Sequence, residues 1–83
     1  MPHKATSRTT QDEDDKAEVA VLAVVLSEHP ALMTLAEIAG EVDDADAADR
    51  GVHRLVGVGL LRREGESVIP TRAALRFSRL VQW

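Results

Sequence analysis

The chain has 83 residues, which is enough for one domain and too few for two. It contains no cysteine, which excludes disulfides and thiolate metal sites, and its net charge is −4. Aromatic residues make up only 2% of the chain, so Leu, Val, Ile and Ala must build the core. The apolar run at residues 19–26 is far shorter than the roughly 20 residues that span a bilayer. Residues 1–4 also lack the apolar stretch of a signal peptide, so we expect a cytoplasmic protein that does not enter a membrane.

Charge is distributed unevenly along the chain. Residues 1–49 carry three Lys or Arg and twelve Asp or Glu, a net charge of −9. Residues 50–83 carry seven Arg and two Glu, a net charge of +5. An acidic first part and a second part whose basic residues are all arginine predict a dipolar surface. A uniformly acidic surface would disfavour nucleic acid as a partner, and this distribution does not.

The first part of the chain divides into a tail and a helix. Residues 1–13 are expected to be a disordered tail, because polar and charged residues dominate and no apolar periodicity is present. Residues 14–83 are assigned to one domain, whose first helix is predicted over residues 14–28. The apolar run within it would also suit a strand, but its length and its alanines favour a helix. One stripe of this helix consists of Val19, Leu22, Ala23 and Leu26, and the other side of Val21, Val24 and Val25. Because the helix is apolar nearly all round, we expect a second subunit to cover one side of it.

The second helix has the clearest start in the sequence. The segment TLAE at residues 34–37 is a capping box, in which Thr34 accepts a hydrogen bond from the Glu37 amide and Glu37 reaches back to the Thr34 amide. Met33 and Ile38 occupy the two positions of a hydrophobic staple. The helix is predicted to end near Val42.

A third helix is predicted over residues 45–58, with Gly59 placed to end it. Its expected inward face consists of Ala48, Val52, Leu55 and Val56. Two β-prone segments, residues 60–63 and 67–69, then flank Glu64-Gly65-Glu66 and predict a hairpin.

Thr71 is the expected cap of a last helix, predicted over residues 72–82. Its apolar stripe consists of Ala73, Ala74, Phe77, Leu80 and Val81. Three arginines fall on one flank, with Trp83 expected near them: Arg72, Arg76 and Arg79.

Three segments in this order resemble parts of a known family. Residues 34–42 (TLAEIAGEV) resemble the first helix of a helix-turn-helix, residues 52–61 (VHRLVGVGLL) the end of a recognition helix passing into a wing, and residues 70–75 (PTRAAL) the start of the helix after the wing. Together, over residues 16–82, they resemble the small winged helix-turn-helix regulators of bacteria, such as the MarR and ArsR types. The resemblance implies a mainly α fold with a small β-hairpin, in the order helix-helix-helix-hairpin-helix.

The resemblance also implies a function, which is DNA-binding transcription regulation as a homodimer. The third helix would lie in the major groove of double-stranded DNA, and the wing would touch the backbone or the minor groove. The dimer would form through helix 14–28 and the C-terminal helix, on the flank that carries Leu75. The residues expected to contact DNA are Ala45, Asp46, Asp49, Arg50, His53, Arg54, Arg62 and Arg63.

The sequence departs from the family's pattern at the start of the third helix. Asp43, Asp44, Asp46 and Asp49 crowd the end that would approach the phosphates, and carboxylates repel DNA. The same residues also suit a structural role, because acidic residues stabilise the first turn of a helix and Asp46–Arg50 and Asp49–His53 are i,i+4 pairs. The arginines likewise suit either bidentate phosphate contact or a solvated helix face.

Catalysis, metals and cofactors find no support in the sequence. His3, His29 and His53 are far apart, no glycine loop follows a strand to hold phosphate, and no serine has an evident histidine partner. We therefore expect a binding protein rather than an enzyme, with no cofactor. The alternative to DNA binding is a winged helix that binds a basic protein partner through its acidic third helix.

Overall fold

The computed structural model describes the backbone of residues 2–82 and the side chains of residues 11–81. Trp83, expected near the last arginines, lies outside the described residues, as does Met1 of the expected tail. The described part contains four helices and three strands, which are α1 (Pro2–Glu28), β1 (Met33–Thr34), α2 (Leu35–Val42), α3 (Ala45–Gly57), β2 (Leu61–Glu64), β3 (Ser67–Pro70) and α4 (Arg72–Gln82). The fold is therefore mainly helical with a small antiparallel sheet, as the sequence predicts at that level.

Helix α1 is longer than predicted. It begins at Pro2 rather than at Asp14, so residues 2–13 belong to the same helix. Proline is favoured in the first turn of a helix, where no intrahelical bond needs its missing N–H, and residues 3–28 contain neither glycine nor proline. The division into a tail at 1–13 and a domain at 14–83 stays a prediction.

Helix α2 begins at the predicted capping box. The Glu37 amide donates to Thr34 Oγ1 at 3.2 Å, and the Thr34 amide donates to Glu37 Oε1 at 2.9 Å. Met33, the staple residue, is 7% exposed and Ile38 is fully buried. Met33 and Thr34 also form the strand β1, which the sequence does not predict because two residues carry no alternating pattern.

The sheet has the order β1-β3-β2, with β3 in the centre. Met33 pairs with Val68 on one side of β3, and Arg63 pairs with Val68 on the other. Gly65 turns the hairpin with a φ of 62°, a conformation that glycine adopts without strain. The sheet thereby joins the start of α2 to the hairpin.

The core lies between the first three helices and one face of the sheet. Helix α3 packs against α1, α2 and β2. Of its predicted inward face, Ala48, Val52 and Leu55 are buried, but Val56 is 37% exposed. That part of the prediction is wrong, because Gly51 takes the inward position where α3 meets α1. The buried core consists of Val21, Val25, Met33, Ile38, Ala48, Val52, Leu55, Leu61 and Val68.

Helix α4 lies at the edge of this core. Thr71 anchors its start, since its hydroxyl donates to the Gly59 carbonyl at 2.7 Å and accepts from the Ala74 amide at 3.4 Å. Ala74 is buried, whereas Phe77, Leu80 and Val81 are 54%, 56% and 62% exposed. The predicted apolar stripe is therefore mostly uncovered by the chain itself.

Among the described residues, no helix combines the length with the hydropathy that crossing a bilayer requires.

Candidate nucleic-acid interface

The outer face of α3 is polar and open to solvent. With Ala48, Gly51, Val52 and Leu55 buried, the helical period turns Asp46, Asp49, Arg50 and His53 outward, and all four are exposed. Ala45 and Arg54 are exposed as well. All six α3 residues predicted to contact DNA thus remain accessible on one helix.

Two of the four aspartates near the start of α3 have a structural role. Asp44 is its N-cap, and Asp44 Oδ1 accepts from the Ala47 amide at 3.0 Å. Asp43 ends α2 in the left-handed conformation, with a φ of 63°, and its amide donates to the Ala39 carbonyl at 2.9 Å. These two residues make the tight connection between α2 and α3. Asp46 and Asp49 have no such role and leave negative charge on the outer face.

The arginines of α3 are held by α1. Arg50 Nε lies 3.3 Å from Asp14 Oδ1, Arg54 Nη1 lies 3.8 Å from Asp14 Oδ2, and Arg54 Nε lies 3.5 Å from Glu18 Oε1. The i,i+4 partners predicted within α3 are not used, because Arg50 pairs with Asp14 instead of Asp46. Asp49 and His53 also form no ion pair within the described side chains. We call Asp14, Glu18, Arg50 and Arg54 the α1–α3 ion-pair cluster.

The hairpin carries the remaining two predicted DNA contacts. Arg62 and Arg63 are both exposed, and Arg62 Nη2 pairs with Glu64 Oε2 at 2.8 Å. Arg63 forms no ion pair with the described residues. It lines an open cavity of about 320 Å³, which is also lined by Leu35 at the start of α2 and Glu66 in the hairpin turn. The hairpin therefore offers one unpaired arginine close to the start of α2.

Sequence reasoning missed the partners of Arg50 and Arg54. The signal was available as spacing, because Asp14 and Glu18 are one helical turn apart, as are the two arginines. Nothing in the sequence, however, gives the register in which α1 crosses α3. Leu75, on the flank predicted to form the dimer, is half-buried and lines a cavity with Leu26 and His29 of the same chain. The dimer surface itself stays a prediction.

The other arginines lie on α4. Arg72, Arg76 and Arg79 are exposed and, within the described residues, form no ion pair. Helix α4 contains no acidic residue, so this flank is uniformly positive. It borders the exposed apolar stripe of the same helix.

His53 is exposed on α3, and His29 is exposed just after α1. Within the part of the chain that the structure describes, no three His, Asp or Glu side chains lie close enough together to hold a metal ion.

Comparisons with protein-family models, with curated proteins and with solved structures found no match to this chain.

Proposed function

We propose that the chain is a winged helix-turn-helix transcription regulator that binds double-stranded DNA without catalysis. Helix α3 is the recognition helix and the β2–β3 hairpin is the wing. The element order and the central position of β3 between β1 and β2 support this fold. The observation that carries the function is the outer face of α3, where Asp46, Asp49, Arg50, His53 and Arg54 stay exposed while the opposite face is buried in the core.

Two kinds of side chain contact DNA in this proposal. Arg63 of the wing supplies charge to phosphate, which accounts for most of the affinity. His53 and Asp49 on α3 face the base edges, where a carboxylate accepts a hydrogen bond from the amino group of cytosine. The aspartates reduce non-specific affinity and thereby favour the sites that they recognise. The proposed regulator acts in the cytoplasm, as the sequence predicts.

A second copy of the chain is the partner that we propose for α4 and α1. Phe77, Leu80 and Val81 form an exposed apolar stripe on α4, and Val19 on the outer side of α1 is 68% exposed. The charges beside these surfaces are complementary, because Arg76 and Arg79 lie beside Leu80 on α4 and α1 exposes Asp12, Glu13 and Asp15. A homodimer would present two α3 helices to successive major grooves.

Fluorescence anisotropy with a labelled duplex of about two helical turns tests DNA binding. We expect the logarithm of the association constant to fall linearly with that of the salt concentration, with a slope of about −0.9 per phosphate contact. Arg63→Gln should make this slope shallower by about one. Arg72→Gln, which removes the same charge from another unpaired arginine, should leave it unchanged.

A second candidate function is favoured by the ion pairs. Arg50, Arg54 and Arg62 each have a carboxylate partner in the chain, whereas Asp46 and Asp49 are exposed on α3. This acidic face suits a basic protein partner. If the anisotropy experiment gives no salt-dependent binding, DNA binding is wrong and the protein-binding function takes its place. Asp46→Lys with Asp49→Lys should then disrupt the protein complex.

A further inference from the structure

The α1–α3 ion-pair cluster joins the acidic and the basic part of the chain at the proposed recognition helix. Asp14 contacts both arginines, with separations of 3.3 Å to Arg50 and 3.8 Å to Arg54, and Glu18 adds a contact of 3.5 Å to Arg54. On each helix the two residues are one turn apart, so the carboxylates follow the arginines along the crossing of α1 and α3.

The close crossing of the two helices brings these side chains together. A Cβ atom on Gly51 would lie 2.7 Å from Val21 Cγ2 and 2.8 Å from the Ala17 carbonyl oxygen, so the backbones of α1 and α3 are nearly in contact there. Arg50 and Arg54 emerge on either side of this glycine along the chain. The carboxylates of α1 are therefore fixed in reach of them by the packing of the core.

The exposures of the four side chains differ in a way that matters for an outside ligand. Asp14 and Glu18 are 23% and 22% exposed, whereas Arg50 and Arg54 are 47% and 46% exposed. The arginines thus keep an open side toward solvent while the carboxylates lie deeper. Ion pairs this exposed contribute little to stability and exchange partners readily. A phosphate, which arginine binds with two parallel hydrogen bonds, is a suitable competitor.

We propose that Asp14 and Glu18 act as an internal competitor for DNA, occupying the two arginines of α3 and so lowering its affinity for phosphate. The inference rests on the proposed DNA-binding function and adds a regulatory contact to it. In the resting protein α1 occupies Arg50 and Arg54, and Arg63 supplies the first contact with the backbone. Any change that moves the α1 carboxylates away from Arg50 and Arg54 leaves these two arginines free to bind phosphate.

The test compares two isosteric double variants by the anisotropy titration. Asp14→Asn with Glu18→Gln removes the competitor, and Glu28→Gln with Glu41→Gln removes the same charge from exposed positions that form no ion pair within the described residues. We expect the first variant to bind DNA about tenfold more tightly than the control at low salt. The slope of the logarithm of the association constant against that of the salt concentration should be steeper by the equivalent of up to about two phosphate contacts. Removing charge that lies far from the DNA does not change this slope in that way. Circular dichroism of both variants checks that they are folded.

Adding Arg50→Gln and Arg54→Gln to the Asp14→Asn, Glu18→Gln variant should abolish the gain, because these arginines carry it. Equal affinity and equal salt slope for the two double variants, with DNA binding intact in the wild type, would overturn the competitor while leaving the proposed function standing. A gain that survives loss of both arginines would overturn it as well. If neither the wild type nor any variant binds DNA, both the internal competitor and the proposed DNA-binding function are wrong.

Discussion

Gly51 sets how closely α1 and α3 approach each other. Its missing side chain leaves room for Val21 and for the backbone carbonyl of Ala17, and no other described glycine has a neighbour within 4 Å of its Cβ position. A single residue without a side chain therefore controls the packing that positions both the core and the α1–α3 ion-pair cluster.

Gly51→Ala should destabilise the protein despite the higher helix propensity of alanine. Overpacking costs about 1–3 kcal/mol, against roughly 1 kcal/mol gained from propensity. We expect the melting temperature to fall by about 4–8 °C for each kcal/mol of this difference in a chain of this size. The matched control is Gly40→Ala in α2, where nothing lies within 4 Å and a small rise is expected. A melting temperature for Gly51→Ala at or above that of the wild type would show that the contact with α1 is loose.

At the scale of elements, α4 differs from the other helices because most of its apolar side chains remain exposed. Thr71 and Ala74 attach its start to the rest of the chain. In its last turns Phe77, Leu80 and Val81 are exposed to solvent. A stripe of this kind suits a partner helix, and the exposed side of α1 carries the complementary charge.

Phe77→Ser with Leu80→Ser should weaken the proposed homodimer. Anchors of this kind contribute about 1–2 kcal/mol each, so we expect the dimer dissociation constant to rise at least about tenfold. Sedimentation equilibrium measures it, with Val58→Ser as the control, because Val58 is 67% exposed and lies outside α4. A monomeric wild type, or a double variant that dimerises like the control, would contradict the role of α4.

The starts and turns of the elements could be predicted where residues close together in the sequence determine them. The capping box at Thr34 and Glu37 starts α2, Gly65 turns the hairpin, and Thr71 begins α4, each close to where the sequence places it. The start of α1 and the strand β1 were not predictable. A polar helical segment has no apolar periodicity, and β1 exists only because Met33 and Thr34 meet β3 from the far end of the chain.

At the scale of the whole molecule, some of the arginines that give the second part of the chain its positive charge form ion pairs and others do not. Arg50, Arg54 and Arg62 form ion pairs with carboxylates of the chain, whereas Arg63 and the arginines of α4 form none among the described side chains. The six α3 residues predicted to contact DNA are exposed, but Arg50 and Arg54 among them are paired with carboxylates of α1. That pairing follows from the crossing of two helices, which composition and local spacing do not determine.

The central claim is that the outer face of α3 and the hairpin together bind duplex DNA. Amide chemical shifts of the ¹⁵N-labelled protein, recorded while duplex is added at low salt, test it residue by residue. We predict the largest changes at residues 45–57 and 61–67, with those of residues 72–82 small. Changes confined to α1 and α4, or no change at any amide, would contradict it.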